Sequence, residues 1–72
     1  MRKIDISYPK AVYSLKQVEQ AAKDYQAICN IDVNEHDDSI VCSFSKSVVD
    51  LERTALEFSN YLIELANTES ST

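Results

Sequence analysis

The chain has 72 residues, a formal charge of -5 and an isoelectric point near 4.6. That length accommodates one small domain, whose single core supplies only about 3–5 kcal/mol of net stability unless a disulfide, a metal or a partner chain adds to it. With its few Lys and Arg scattered, the chain has no basic stripe to neutralise phosphates, which argues against nucleic acid and anionic membranes as partners.

There is no glycine and a single proline, so the turns fall to Asn, Asp and Ser, which bond to their own backbone or tolerate left-handed geometry. Residues 2–7, RKIDIS, alternate Ile4 and Ile6 with Lys3 and Asp5, the period of a half-buried strand. Pro9 drives the residue before it out of helical geometry, so Tyr8 to Val12 is expected as an extended connector. Ser14 with Gln17 three residues on reads as a capping box, and Leu15, Val18, Ala22 and Tyr25 follow at helical spacing.

Alternation returns in Ala27 to Asn34, with Cys29, Ile31 and Val33 inward, and in Ser39 to Ser45, with Ile40, Cys42 and Phe44 inward. A hairpin pairing Val33 with Ile40, Ile31 with Cys42 and Cys29 with Phe44 keeps both apolar sets on one face and leaves Glu35 to Asp38 as its loop. Ser47 and Asp50 have capping-box spacing at the start of a second helix. Val48, Leu51, Ala55, Phe58, Leu62 and Leu65 then form one seam, over a helix to Ala66 roughly 28 Å long. Residues 1–67 read as a single domain, and 68–72 as a polar, frayed tail.

The order strand, helix, strand, strand, helix implies an α+β two-layer sandwich, a three-stranded sheet with both helices on one face. Either the first two strands are parallel neighbours joined by a right-handed crossover, or the first lies beside the third, as in a ferredoxin-like unit lacking its last strand. The split arrangement is preferred.

Motifs for chemistry are sparse. In the expected register Cys29 and Cys42 are diagonal, roughly 7–8 Å apart, too far for an unstrained disulfide. They read as small core residues in a reducing compartment, and two Cys with one His fall short of a zinc set. His36 lies among Glu35, Asp37 and Asp38, where a held tautomer or a hard cation is conceivable, but a solvated hairpin tip is the plainer reading. No serine has a matched base, and a phosphate loop needs glycine. The expectation is a non-enzyme with no cofactor and no metal. With no bilayer-spanning apolar run and no apolar segment after the basic start MRKIDISYPK, cytoplasmic residence is expected.

Tyr8, Tyr13, Tyr25 and Tyr61 suit either a core rim or a partner surface. In the last helix Val49, Leu56 and Ile63 repeat at seven-residue intervals outside the main seam. Together with Tyr61 they form the candidate interaction surface, to be covered by a protein or peptide partner or by a second copy of the chain.

Three stretches, VYSLKQVEQAAKDY, CNIDVNEHDDSIVCSF and DLERTALEFSNYLIEL, together resemble the small D-component family of the His-Xaa-Ser peptide-modification system. The similarity lies in the Y-S-L-x-x-V-x-x-A-A entry to the first helix, the hairpin, and the E-F-x-N-x-L run of Glu57, Phe58, Asn60 and Leu62. After FSNYL the chain departs from that family's acidic-then-basic ending and reads IELANTESST. The resemblance implies an accessory protein acting beside radical S-adenosylmethionine enzymes that mature a peptide rich in His-Xaa-Ser repeats. It implies no catalytic residues. The alternative is a structural domain that forms a homodimer through its long C-terminal helix.

Overall fold

The computed structural model describes residues 2–70, and side chains as far as residue 67. The elements are β1 (Lys3–Pro9), α1 (Leu15–Asp24), β2 (Asn30–Glu35), β3 (Ser39–Ser45) and α2 (Leu51–Ser70). The sheet order is β1-β3-β2, and β3 runs antiparallel to both neighbours. The first strand therefore lies beside the third, the split form of an α+β sandwich, and both β1 and β2 are edge strands.

Alternation along the strands sends Ile4, Ile6 and Tyr8, Ile40, Cys42 and Phe44, and Ile31 and Val33 to the helical side of the sheet. There they meet Val18 and Ala21 of α1 and Leu51, Ala55, Phe58 and Leu62 of α2. Ala21, outside the expected stripe, is fully buried beside Val18, while Ala22 is only partly so. The open face carries Lys3, Asp5 and Ser7 on β1, Ser39, Val41, Ser43 and Ser45 on β3, and Asn30, Asp32 and Asn34 on β2.

Four local expectations are corrected. The connector begins at Lys10 rather than Tyr8, because β geometry is what a pre-proline residue favours and Pro9 remains paired opposite Ser39. Proline is tolerated there because β1 is an edge: Lys10 N–H donates to the Asp38 carbonyl at 3.0 Å, so Pro9, one residue earlier, faces outward with its missing donor. The second strand starts at Asn30, since Ala27 and Ile28 belong to the turn after α1. The hairpin register is displaced by two residues, with Val33 opposite Cys42, Ile31 opposite Phe44 and Glu35 opposite Ile40. A shift of two keeps every side chain on its face, so alternation alone does not exclude it. His36 N–H donates to the Ser39 carbonyl at 2.8 Å, which reduces the tip to Asp37 and Asp38.

The fourth correction concerns α2, which starts at Leu51, leaving Val48 and Val49 outside it. Asp50 acts as its cap: Arg53 N–H donates to Asp50 Oδ2 at 3.1 Å. The Ser47 hydroxyl bonds the Thr54 hydroxyl at 2.9 Å and accepts from Val49 N–H at 3.3 Å. Before this segment Lys46 takes φ 52°, a left-handed position that a chain with glycine would ordinarily give to that residue. The capping box of α1 is formed as expected, Gln17 N–H to Ser14 Oγ and Ser14 N–H to Gln17 Oε1, each 3.1 Å. The backbone of α2 runs on to Ser70, and the remainder of the expected polar tail, Ser71 and Thr72, lies outside the described residues.

Candidate interaction surface

The four residues singled out as an interaction surface divide into two groups. Val49, Leu56 and Ile63 are 53%, 63% and 44% exposed, and what makes them informative is their grouping along one end and flank of α2 rather than the exposure of any one of them. Leu56 and Ile63 are two turns apart on α2, and Val49 stands just ahead of its cap, beside the exposed Val48. Tyr61 belongs elsewhere. Its hydroxyl donates to Asp24 Oδ2 at 2.6 Å and its ring lies 5.6 Å from that of Tyr25, so it closes the seam between α1 and α2. The hydrogen bond to the Asp24 carboxylate, then burial, raises the Tyr61 pKa above its ordinary value.

Among the other tyrosines, Tyr8 is interior, and Tyr13 and Tyr25 are half-buried at the rim of the core. Tyr8 is buried and meets Tyr13 edge-on at 5.6 Å, and Phe58 sits 5.4 Å from Tyr25 and 5.1 Å from Phe44. Tyr8 reaches out of this aromatic cluster to share a 2.7 Å hydrogen bond with the Ser59 hydroxyl, and burial pushes its pKa up to about 12. These rings hold α2 against the sheet, since Phe58 and Tyr61 belong to α2, Tyr8 to β1 and Phe44 to β3.

Two polar contacts fix which flank of α2 carries the exposed residues. Glu52 pairs with Arg2, just before β1, and Ser59 pairs with Tyr8 at the far end of that strand. At 100° per residue Leu56 and Ile63 point close to the direction of Glu52, on the side away from Tyr61 and α1. The apolar stripe therefore overhangs β1, an edge strand. Because Lys10 N–H points at β3, alternation turns the backbone N–H and C=O groups of Lys3, Asp5 and Ser7 outward along that edge. By the same argument from His36 N–H, those of Ile31, Val33 and Glu35 face outward from β2. A proline closing an alternating run, as Pro9 does here, is the sequence signal of such an edge.

The remaining candidates are quiet. Cys29 and Cys42 are both buried free thiols. Cys29 Sγ lies 3.3 Å from the Ser45 carbonyl, and burial pushes the Cys42 thiol up to about 11, so the reactive thiolate is suppressed. His36 is exposed at the hairpin tip, in an open hollow with Glu35, Asp37, Asp38, Ser39 and Val41. Among the described residues no group of three or more His, Cys, Asp or Glu is arranged to hold a metal ion. No helix among them is long and apolar enough to cross a membrane.

No protein-family model, curated protein or solved structure matches the chain.

Proposed function

We propose that this chain is a non-catalytic accessory or adaptor protein of a peptide-modification system, which binds a maturation enzyme, its peptide substrate, or both. The observation that carries the reading is the two outward-facing strand edges, β1 lying beneath an exposed apolar flank of α2, the kinds of surface through which extended peptides and helices are usually recognised. The sequence resemblance supplies the peptide-maturation setting and the radical S-adenosylmethionine enzyme as partner. Burial of both thiols and the position of His36 at a solvated tip support a role in holding rather than transforming.

The outer edge of β2 is the natural seat for a peptide. Its open-face neighbours Asp32 and Asn34, with Asp37 and Asp38 at the tip, favour a peptide bearing histidine or cationic side chains. Titrating the isotopically labelled protein with a synthetic peptide of His-Xaa-Ser repeats should shift the amide resonances of residues 31–35. Absence of any shift at millimolar peptide, with no radical enzyme or small peptide recovered by gentle affinity capture from the native organism, would falsify the proposal. A second reading, a homodimer built through α2, is favoured by the exposed Val49, Leu56 and Ile63. Sedimentation that returns only monomer at millimolar protein would remove it.

A further inference from the structure

We infer that the partner of the β1 edge is a second copy of this chain, joined antiparallel about Ile4 so that Lys3 of each copy faces the partner's Asp5. The inference rests on the homodimer reading and adds to it a sheet edge, a register and an ion-pair pattern.

The argument starts from the phase of the edge. Only the odd residues of β1 turn their backbone groups outward, so a hydrogen-bonded pair across a two-fold axis must join odd with odd. Five registers, centred on Ile4, Asp5, Ile6, Ser7 or Tyr8, meet this condition with more than one outward residue of each strand. Centring on Asp5 sets the two Asp5 carboxylates directly opposite each other, which is repulsive. Centring on Ile6, Ser7 or Tyr8 places Lys3, Asp5 or Ser7, respectively, opposite the partner's Pro9, which has no N–H to give. Centring on Ile4 sets Lys3 against the partner's Asp5 twice over, with both residues supplying their N–H and C=O groups.

The side chains agree with that choice. Lys3 and Asp5 are exposed on the open face, opposite Ser45 and Ser43 of β3, and neither makes an ion pair among the described residues. On the helical face, Ile4 is only partly buried and would meet its own copy in the closely spaced, non-hydrogen-bonded position.

The two-fold axis also organises the apolar stripe. Glu52 is anchored at Arg2 and Ser59 at Tyr8, so Leu56, between those anchors, is the exposed apolar residue brought toward the axis. Ile63 lies two turns beyond Leu56 on the same flank, so antiparallel α2 helices crossing at Leu56 set Ile63 beside the start of the partner's α2, the end that Val49 leads into. One operation covers the exposed Leu56 and Ile63 of α2 and extends the sheet to β2-β3-β1 followed by its mirror order, with all four helices on one side.

The test is sedimentation velocity of the full chain over a concentration series at low salt. Wild type should dimerise. Lys3→Glu and Asp5→Lys singly should each weaken the dimer about tenfold, since each puts like charges into both pairs. The double variant, which restores opposite charges, should recover most of the loss. Asp5→Pro should be monomeric with an unchanged far-UV spectrum, because it removes an outward donor and leaves the bonds to β3 intact. A dimer indifferent to all β1 substitutions but lost in Leu56→Glu would overturn the edge pairing and keep the helix-mediated homodimer. A wild type that stays monomeric at millimolar concentration would overturn both.

Discussion

Leu56 and Leu62 are the same residue type on the same helix, and the fold predicts opposite consequences of truncating them. Leu62 is fully buried against the aromatic cluster, whereas Leu56 is 63% exposed. Leu62→Ala should cost about 2–5 kcal/mol, the transfer term plus that of the cavity left behind. Full burial of a leucine side chain is worth about 1.5–3 kcal/mol, so the covered third of Leu56 contributes roughly 0.5–1 kcal/mol. Ala is the better helix former by a small margin, which lowers the expected cost of Leu56→Ala to about 0.5 kcal/mol. Against the roughly 3–5 kcal/mol that a single core of this length supplies, the first change approaches the whole stability and the second is marginal. Urea denaturation followed by far-UV circular dichroism, at a concentration low enough for the monomer, measures both. Equal costs for the two variants would refute the assignment of Leu56 to the outer flank. Repeating the pair at high concentration adds a check on association, because a dimer that covers Leu56 makes its truncation more costly as protein is added.

The corrected start of α2 predicts that Asp50→Ala costs about 1 kcal/mol by thermal or urea melts, the usual loss for an N-cap, with Asp50 rather than Ser47 supplying the helix-capping oxygen. Lys46→Gly should raise stability by roughly 0.5–1 kcal/mol in the same assay, since φ 52° costs a residue with a Cβ but not glycine. A loss would show that the left-handed position is set by something other than the backbone. Tyr8 and Cys42 both have folded-state pKa values raised by burial, from 10.0 to about 12 and from 9.0 to about 11. The unfolded chain therefore releases these protons first, and their stabilising contribution, complete below pH 9, is lost progressively as pH rises through about 9 to 12. Urea midpoints should fall over that window, more steeply in wild type than in Tyr8→Phe. Both thiols should resist an aqueous disulfide reagent at neutral pH and react on unfolding.

Much of the architecture was legible because local chemistry and global fold agree. β3 spans Ser39–Ser45 as its alternation requires, and the Ser14 and Gln17 box opens α1 where its side chains permit. The errors arose where the sequence offers two answers of equal local quality. A hairpin register and its two-residue neighbour bury the same faces, and only the closure of the tip decides between them. Ser47 and Asp50 have the spacing of a capping box, but the Ser47 hydroxyl is engaged by Thr54, while Asp50 caps directly. The sequence places Tyr61 close to the exposed stripe, yet its partner, Asp24, is 37 positions away on another helix, a contact no periodicity reveals. The outward phase of β1 likewise depended on knowing that β3 lies on its other side.

That strand order has a kinetic corollary. β2 and β3 are joined by a tight tip and can zip together locally, whereas β1 reaches its place beside β3 only after α1 and the hairpin are threaded between them. The central strand must therefore form before the first strand has a template. Until then Lys3 to Pro9 is a ribbon with both edges open, and afterwards it is held by one edge alone. The same topology that leaves β1 available to a partner also makes its outward amide protons, with those of β2, exchange before the doubly bonded protons of β3 until a partner covers that edge.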